Sequence, residues 1–231
     1  MSLVSNLFLI FVALSLLVYY IVPQKLQWIV LLVFSYIYYL AGGPRYVFFI
    51  LFSTLVTWLM AIFIEKTEEK GNHKGAKKLL ITGLILNFGM LGIVKYTNFT
   101  IENINALFHL HLRGIELLFP LGISFYTFQS SGYLLDVYWK RCKAEKQPFK
   151  YALFVSYFPQ ILQGPIGRYN RLANQLYEGH KFNGKNIVRG FERILWGFFK
   201  KMIIADWAAV FPKGQRTSGC GRTPALFGAH G

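Results

Sequence analysis

The feature that most limits what this chain can become is a series of apolar runs, several of them close to the length of a bilayer crossing. A spanning helix needs about 20 mostly apolar residues. Leu3 to Val22 meets that length and ends at Pro23. Leu26 to Ala41 is shorter, holds Tyr36, Tyr38 and Tyr39 at positions suited to an interface, and is broken by Gly42, Gly43 and Pro44. Tyr46 to Ile64 qualifies cleanly, and Leu79 to Tyr96 is interrupted only by Thr82 and Asn87. Leu117 to Tyr138 is a fifth candidate, richer in Gly, Ser, Thr and Gln. Lipid offers a backbone no hydrogen bonds, so runs of this length fold as helices. The fold class expected is therefore all-α, a polytopic transmembrane bundle.

Composition agrees. Charged residues make up 15% of the chain against 54% hydrophobic and 18% aromatic, and a soluble domain carries about a quarter charged. The net charge of +15 does not indicate nucleic acid as a partner, because the basic residues sit beside apolar spans, where they meet lipid head groups. Cys142 and Cys220 are the only cysteines and stand far apart, which fits neither a disulfide framework nor a metal site. The first run is a retained helix rather than a signal peptide. No Lys or Arg precedes it and no small-residue cleavage site follows.

The loops predict an orientation. Lys66, Lys70, Lys74, Lys77 and Lys78 lie between the third and fourth spans, and Lys140, Arg141, Lys143, Lys146 and Lys150 follow the fifth. The loops between them hold only Arg45 in one case, and Lys95 and Arg113 in the other. Basic residues hold a loop in the cytoplasm. Both Lys-rich segments are then inside and the N-terminus outside, with the plasma (inner) membrane as the location.

Beyond Lys150 the pattern changes. Tyr151 to Leu162 is apolar but too short to span, and it runs into Pro159, Gly164, Pro165 and Gly167. Prolines and glycines at that density break a helix. Broken backbone is tolerated at membrane depth only inside protein or beside a wet cavity. The stretch reads either as a re-entrant element beside such a cavity or as an ordinary interfacial loop. From Ile187 to Ala205, Ile187, Phe191, Ile194, Phe198 and Met202 recur on one helical face, while Arg189, Arg193 and Lys200 project from the other with Trp196 between them. That is an amphipathic helix suited to the cytoplasmic interface or to packing against neighbours. Phe211 to Gly231 lacks periodicity and is dense in Gly, Pro and Arg, so residues 211–231 are expected to be a disordered tail unrelated to residues 1–210.

No phosphate loop, dinucleotide fingerprint or metal-spaced cluster occurs. The histidines His73, His109, His111, His180 and His230 all fall outside the apolar spans and read as solvated. The polar groups better placed for a substrate cavity are Gln129, Asp136, Gln160, Gln163 and Arg168. For Asp136 a structural role is open beside the functional one, an ion pair with Lys140 or Arg141 at the span's end. The glutamines can bond between helices or line a path.

Phe119-Pro120-Leu121-Gly122-Ile123-Ser124-Phe125-Tyr126-Thr127-Phe128-Gln129, followed by Tyr133-Leu134-Leu135-Asp136-Val137-Tyr138, strongly resembles the membrane-bound O-acyltransferase family. The similarity is to the bacterial branch that holds alginate O-acetyltransferases and the D-alanyl transfer protein of teichoic acids. Phe158-Pro159-Gln160 with Gln163-Gly164-Pro165-Ile166 and Arg168 is similar to a second family block, and Leu195 to Met202 with Ile204-Ala205-Asp206 to a third. The resemblance implies an enzyme that carries an acyl group, acetyl as in the alginate O-acetyltransferases, from a cytoplasmic acyl-CoA or acyl-carrier donor to a hydroxyl of an extracytoplasmic polysaccharide. A partner transferase can stand between enzyme and acceptor, and no bound cofactor is implied. Cavity walls would come from the residues named above, and a donor-side cytoplasmic surface from Arg189, Arg193 and Lys200.

The departures from the pattern carry an expectation of their own. Members of the family are about twice as long, and their histidine lies in a Trp-His segment downstream of the third block. Trp207 stands where relatives of this branch have Arg. A frameshifted or truncated gene produces this combination, with a chain inactive alone and no catalytic residue among its own. A non-catalytic membrane scaffold or transport component is the alternative.

Overall fold

A computed structural model describes residues 6–108, 122–163 and 167–205 of the chain. Apart from their connections, those residues are helical: α1 (Asn6–Ile21), α2 (Gln27–Gly42), α3 (Pro44–Glu69), α4 (His73–Phe108), α5 (Ile123–Tyr138), α6 (Pro148–Ser156), α7 (Phe158–Gln163), α8 (Tyr169–Tyr177) and α9 (Gly184–Phe199), the last followed by a π-helical turn, Lys200–Ala205. Among the described residues three helices are long and apolar enough to cross a membrane, at Gln24–Gly42, Tyr46–Glu69 and His73–Leu107. The chain divides into two compact units, Met1–Lys181 and Phe182–Gly231.

The breaks fall where the residues dictate. Pro23 follows α1 and a short 3-10 turn leads into α2. Gly43, at φ +137°, reverses the chain, and Pro44 opens α3 in the first-turn position where its missing N–H costs nothing. One boundary needs correction. The span expected at 79–96 is the middle of a helix of 36 residues, His73–Phe108, so Lys74, Lys77 and Lys78 lie on its first turns rather than in a loop. The first run is helical from Asn6 to Ile21; its first residues lie outside the described residues. The fifth span is described from Ile123 onward; its beginning, with His109, His111 and Arg113, lies outside the described residues.

The first unit is centred on α3, α4 and α5. Ile50, Ile64, Tyr126, Leu134 and Val137 are buried there together with Ala61, Ala76 and Val94. Asn87, the polar interruption of the fourth span, is buried in a closed network. Ser53 Oγ donates to Asn87 Oδ1 at 2.6 Å, and Asn87 Nδ2 donates to Thr57 Oγ1 and to the Gly83 carbonyl at 3.0 Å each. Such bonds tie α3 to α4 where water cannot compete for them. A smaller aromatic cluster joins α1, α2 and α7. Phe11 meets Phe158 at 5.3 Å and Phe34 at 5.4 Å, and Phe8 meets Tyr38 edge-on at 6.0 Å.

The Lys-rich end of this unit is fixed by acidic side chains. Glu68 accepts from His73 at 2.7 Å and from Lys140 at 3.2 Å, and Glu65 accepts from the Ala144 backbone at 3.2 Å. Lys140 itself takes a left-handed φ of 56° to end α5, a conformation costing about 1 kcal/mol for a non-glycine residue. Its ammonium thereby turns toward the α3–α4 turn.

In the second unit α9 begins at Gly184, with Asn183 Oδ1 accepting from Lys185 N at 3.0 Å as an N-cap. The expected amphipathic helix is present, starting earlier than Ile187 and giving way to the π-helical turn at Lys200. Its apolar arc is exposed: Ile187, Phe191, Ile194, Leu195 and Phe199 are each at least one-third accessible. Lys200 Nζ lies 5.4 Å above the Trp196 ring, which stacks on Phe199 at 5.1 Å. Arg189 and Arg193 are exposed. Residues 211–231 lie outside the described residues.

Candidate functional site around the broken α6–α7 element

The stretch after Lys150 runs back along α5. Three contacts fix its direction along α5. Near the Lys-rich end Tyr151 meets Tyr133 with ring centroids 4.7 Å apart. One turn further Gln129 Nε2 donates to the Phe154 carbonyl at 3.0 Å. At the start of α5, Gly122 touches Ile161 of α7. So α6 and α7 run antiparallel to α5 along its whole length. By Tyr169 the chain is back at the Lys-rich end, where the Tyr169 hydroxyl donates to Glu145 Oε2 at 2.8 Å. An element that runs along α5 and is followed by a return to the same end is the arrangement that the re-entrant reading expects.

The helix is interrupted at Tyr157, whose ψ of 105° is extended. Pro159 then lies in the first turn of α7, where proline is tolerated. The interruption frees backbone groups inside apolar surroundings. One of them, the Phe158 N–H, donates to Ser35 Oγ on α2 at 3.3 Å, while Ser35 donates to the Leu31 carbonyl at 2.7 Å. That is the repair a broken helix requires at membrane depth.

Around the element lies a seam of buried hydroxyls. Tyr126, Thr127, Ser130 and Ser131 on α5 are all buried, as are Tyr151 and Ser156 on α6. The Tyr151 hydroxyl faces Ser130 and Thr57, and Tyr36 faces Ser156. These groups offer donors and acceptors in an apolar interior, the condition under which a hydroxyl or carbonyl of a ligand is bound strongly.

The candidate residues divide among different places. Gln129 is buried and its amide is engaged by Phe154. Asp136 pairs with Arg141 at 3.6 Å, and its carbonyl also accepts from the Arg141 N–H at 2.8 Å, so it closes the end of α5. Gln160 lies against Gly167, where its amide fills the space a β-carbon would need, which brings it beside exposed Arg168. The backbone of Arg168 caps α8 by accepting from Arg171 and Leu172 at 3.1 Å each. Gln163 ends α7, and its side chain lies outside the described residues. His73 and His180 are both exposed; His180 Nδ1 lies 3.2 Å from the Tyr19 hydroxyl, and its backbone is clasped by Gln27 at 2.7 and 3.1 Å.

Glu145 was not among the sequence candidates, yet it organises the Lys-rich end. Its carboxylate accepts from Tyr169 at 2.8 Å and from Gln147 N at 3.0 Å. Its backbone N–H donates to the Tyr133 hydroxyl at 2.8 Å, and its carbonyl accepts from Trp58 Nε1 at 2.8 Å. The Tyr177 hydroxyl donates to the Lys150 carbonyl at 2.8 Å. Burial pushes the phenols of Tyr169 and Tyr177 upward, so both stay protonated as hydrogen-bond donors through the ordinary pH range.

Cys142 stands beside this hub, and its thiol is pushed up to about 12 by burial first and then by the Asp136 and Glu65 carboxylates. The nucleophile in alkylation is the thiolate, so a raised thiol reacts slowly until the solution is strongly alkaline. In a Cys220→Ser background, Cys142 is expected to alkylate roughly tenfold or more slowly at pH 8 than a cysteine placed at Lys74. Equal rates would show that the α5–α6 segment leaves its place. The same Lys74→Cys chain tests orientation in intact cells, where an impermeant thiol reagent added outside should not reach it.

The chain is 34% identical over 213 residues to a probable alginate O-acetylase of Pseudomonas syringae pv. tomato, covering 89% of this chain and 40% of that one. It is 31% identical over 212 residues to the corresponding protein of Pseudomonas aeruginosa, covering 89% and 40%. To a peptidoglycan O-acetyltransferase of Helicobacter pylori it is 32% identical over 211 residues, covering 80% and 39%. The chain thus spans about 40% of the length of the curated relatives it matches. No family model matches, and no solved structure does.

Proposed function

Because the chain belongs with the bacterial O-acetylases of the membrane-bound O-acyltransferase family, which it matches over 89% of its length, we propose that it forms the N-terminal part of an O-acetyltransferase. That enzyme moves an acetyl group from a cytoplasmic donor, acyl-CoA or a carrier-linked acyl group, to a hydroxyl of an extracytoplasmic polysaccharide. The observation that carries the reading is the joining of the first two family blocks: α5 and the broken α6–α7 element lie antiparallel along their lengths. Irregular backbone held this way at membrane depth belongs beside a polar path. Alginate and peptidoglycan, named in the relatives, support a glycan acceptor.

In this reading the α6–α7 element and the residues that follow it, with Gln160, Gln163 and Arg168 along them, border the path. Gln129 and Asp136 hold its wall, and Arg189, Arg193 and Lys200 belong to the donor side. The general base is a histidine supplied by the family's downstream segment, acting on the acceptor hydroxyl in a site shielded from water. The Lys-rich end of the first unit faces the cytoplasm of the inner membrane.

The test is a chimera in which residues 1–205 replace the matching part of the Pseudomonas syringae protein, expressed in an alginate-producing host lacking its own O-acetylase. Acetyl esters on the secreted polymer are the expected result, and the 231-residue chain alone should give none. An inserted, stable chimera that leaves the polymer unacetylated overturns the reading, as does acetylation by the chain alone.

A further inference from the structure

A second feature of the first unit lies apart from the α5–α7 seam. Between α2, α3 and the start of α6 runs a groove of about 560 Å³, walled by Leu40, Leu51 and Leu55 and closed toward the Lys-rich end by Trp58 and Phe149. That volume falls in the range of small-molecule sites, about 300–1,000 Å³. Leu40, Leu51 and Leu55 are each about half exposed, so the groove opens on the apolar flank of the helices and not into the bundle.

The groove is apolar but carries one polar mark. Thr54 is 6% exposed, it lines the wall, and its hydroxyl has no hydrogen-bond partner in the structure. A buried hydroxyl without a partner costs about 1–3 kcal/mol. Thr54 stands four residues before Trp58 on α3, one turn or about 6 Å deeper. Trp58 marks the polar boundary, because its indole N–H donates to the Glu145 carbonyl in the segment between α5 and α6. Exposed Lys146 and half-buried Lys150 stand in sequence on either side of Pro148 and Phe149, which line the groove, with Lys150 Nζ 5.3 Å from the Tyr177 ring.

The order along the groove is therefore cation, aromatic boundary, hydroxyl one turn below it, and aliphatic walls. A glycerophospholipid has the complementary order of phosphate, glycerol, ester carbonyl and acyl chain. We propose that this groove binds one anionic glycerophospholipid. Its phosphate meets Lys146 and Lys150, an ester carbonyl accepts from Thr54 Oγ1, and one acyl chain lies along α2 and α3. This goes beyond the acetyl-transfer reading and does not depend on it.

The full chain, reconstituted in vesicles of phosphatidylethanolamine with a minority of phosphatidylglycerol and then extracted in mild detergent, allows retained lipid to be weighed by native mass spectrometry. One phosphatidylglycerol per chain is the expected result. Leu55→Trp fills the groove from its exposed side and should abolish retention, whereas Leu14→Trp on α1 should leave it unchanged. Thr54→Val should weaken retention of both lipids, and Lys146→Gln with Lys150→Gln should reduce the preference for phosphatidylglycerol, by about fivefold for each lysine. Absence of retained lipid, retention indifferent to Leu55→Trp, or a doubled mass that Leu55→Trp dissociates would each overturn the proposal.

Discussion

Replacing Tyr133 with alanine is expected to destabilise the first unit by about 4–6 kcal/mol, from a large-aromatic deletion of about 3–5 kcal/mol and a lost hydrogen bond of about 1 kcal/mol. Tyr133 is only 1% exposed. Its ring lies 4.7 Å from both Tyr151 and Tyr169 and 6.4 Å from Phe154, so it touches the two helices that bracket the re-entrant element. Its hydroxyl accepts the Glu145 N–H at 2.8 Å. The deletion leaves a cavity at the junction of α5, α6 and α8 and an orphaned backbone donor. Tyr133→Phe separates the contributions, because the ring stays and only the acceptor is lost, and it should cost about 1–3 kcal/mol. Thermal unfolding in detergent, followed by the loss of soluble monomer, gives both values. A Tyr133→Ala chain that melts like the parent would show that these aromatic contacts do not hold the element in place.

Much of this fold is written in the apolar runs, and the reason is physical: in lipid a run of that length has no choice but helix. The Gly42–Pro44 break and the Pro23 stop are legible for the same reason, since they are properties of single residues. The ends of α4 were not. Hydropathy reports depth in the bilayer, whereas the helix continues wherever backbone bonds can close, so Lys74 and Asn103 are helical without being apolar.

The re-entrant element was half legible. Its prolines and glycines announce broken backbone, but only contacts with α5 separate a returning segment from a loop at the surface. Glu145 was illegible. One carboxylate among Lys143, Lys146 and Lys150 reads as a solvated charge, and nothing local tells that Tyr133, Trp58 and Tyr169 converge on it from sequence separations of 12, 87 and 24 residues. Tyrosines in a membrane sequence read first as interfacial anchors. Here Tyr38 and Tyr39, expected at an interface, are buried inside the protein instead. Gln129 and Asp136 stood out as polar residues in a span, yet their main visible partners are the Phe154 carbonyl and Arg141.

Gly122 provides the test of the opposite end of the element. It is the N-cap of α5 at φ +71° and ψ 13°, and it lies in the sequence block that first pointed to the family. A β-carbon there would collide with Ile161 Cγ2 and stand 3.0 Å from the Ile161 carbonyl oxygen. Two costs therefore add. The left-handed conformation costs alanine about 1–2 kcal/mol, and forcing an extra carbon into a packed contact costs about 1–3 kcal/mol. Gly122→Ala should lose about 2–5 kcal/mol in the same unfolding assay. The two costs can be told apart in a double-mutant cycle with Ile161→Ala. Trimming Ile161 relieves the collision with Cγ2 but leaves the backbone conformation untouched. The coupling should therefore be favourable and recover only part of the loss. Full recovery would mean that α5 does not begin in a left-handed cap. No coupling at all would mean that α7 does not reach the start of α5, and the element would then not run the length that the acetyl-transfer reading requires. In the chimera, Gly122→Ala should lower polymer acetylation at unchanged chain abundance, because the misplaced segment carries Gln160.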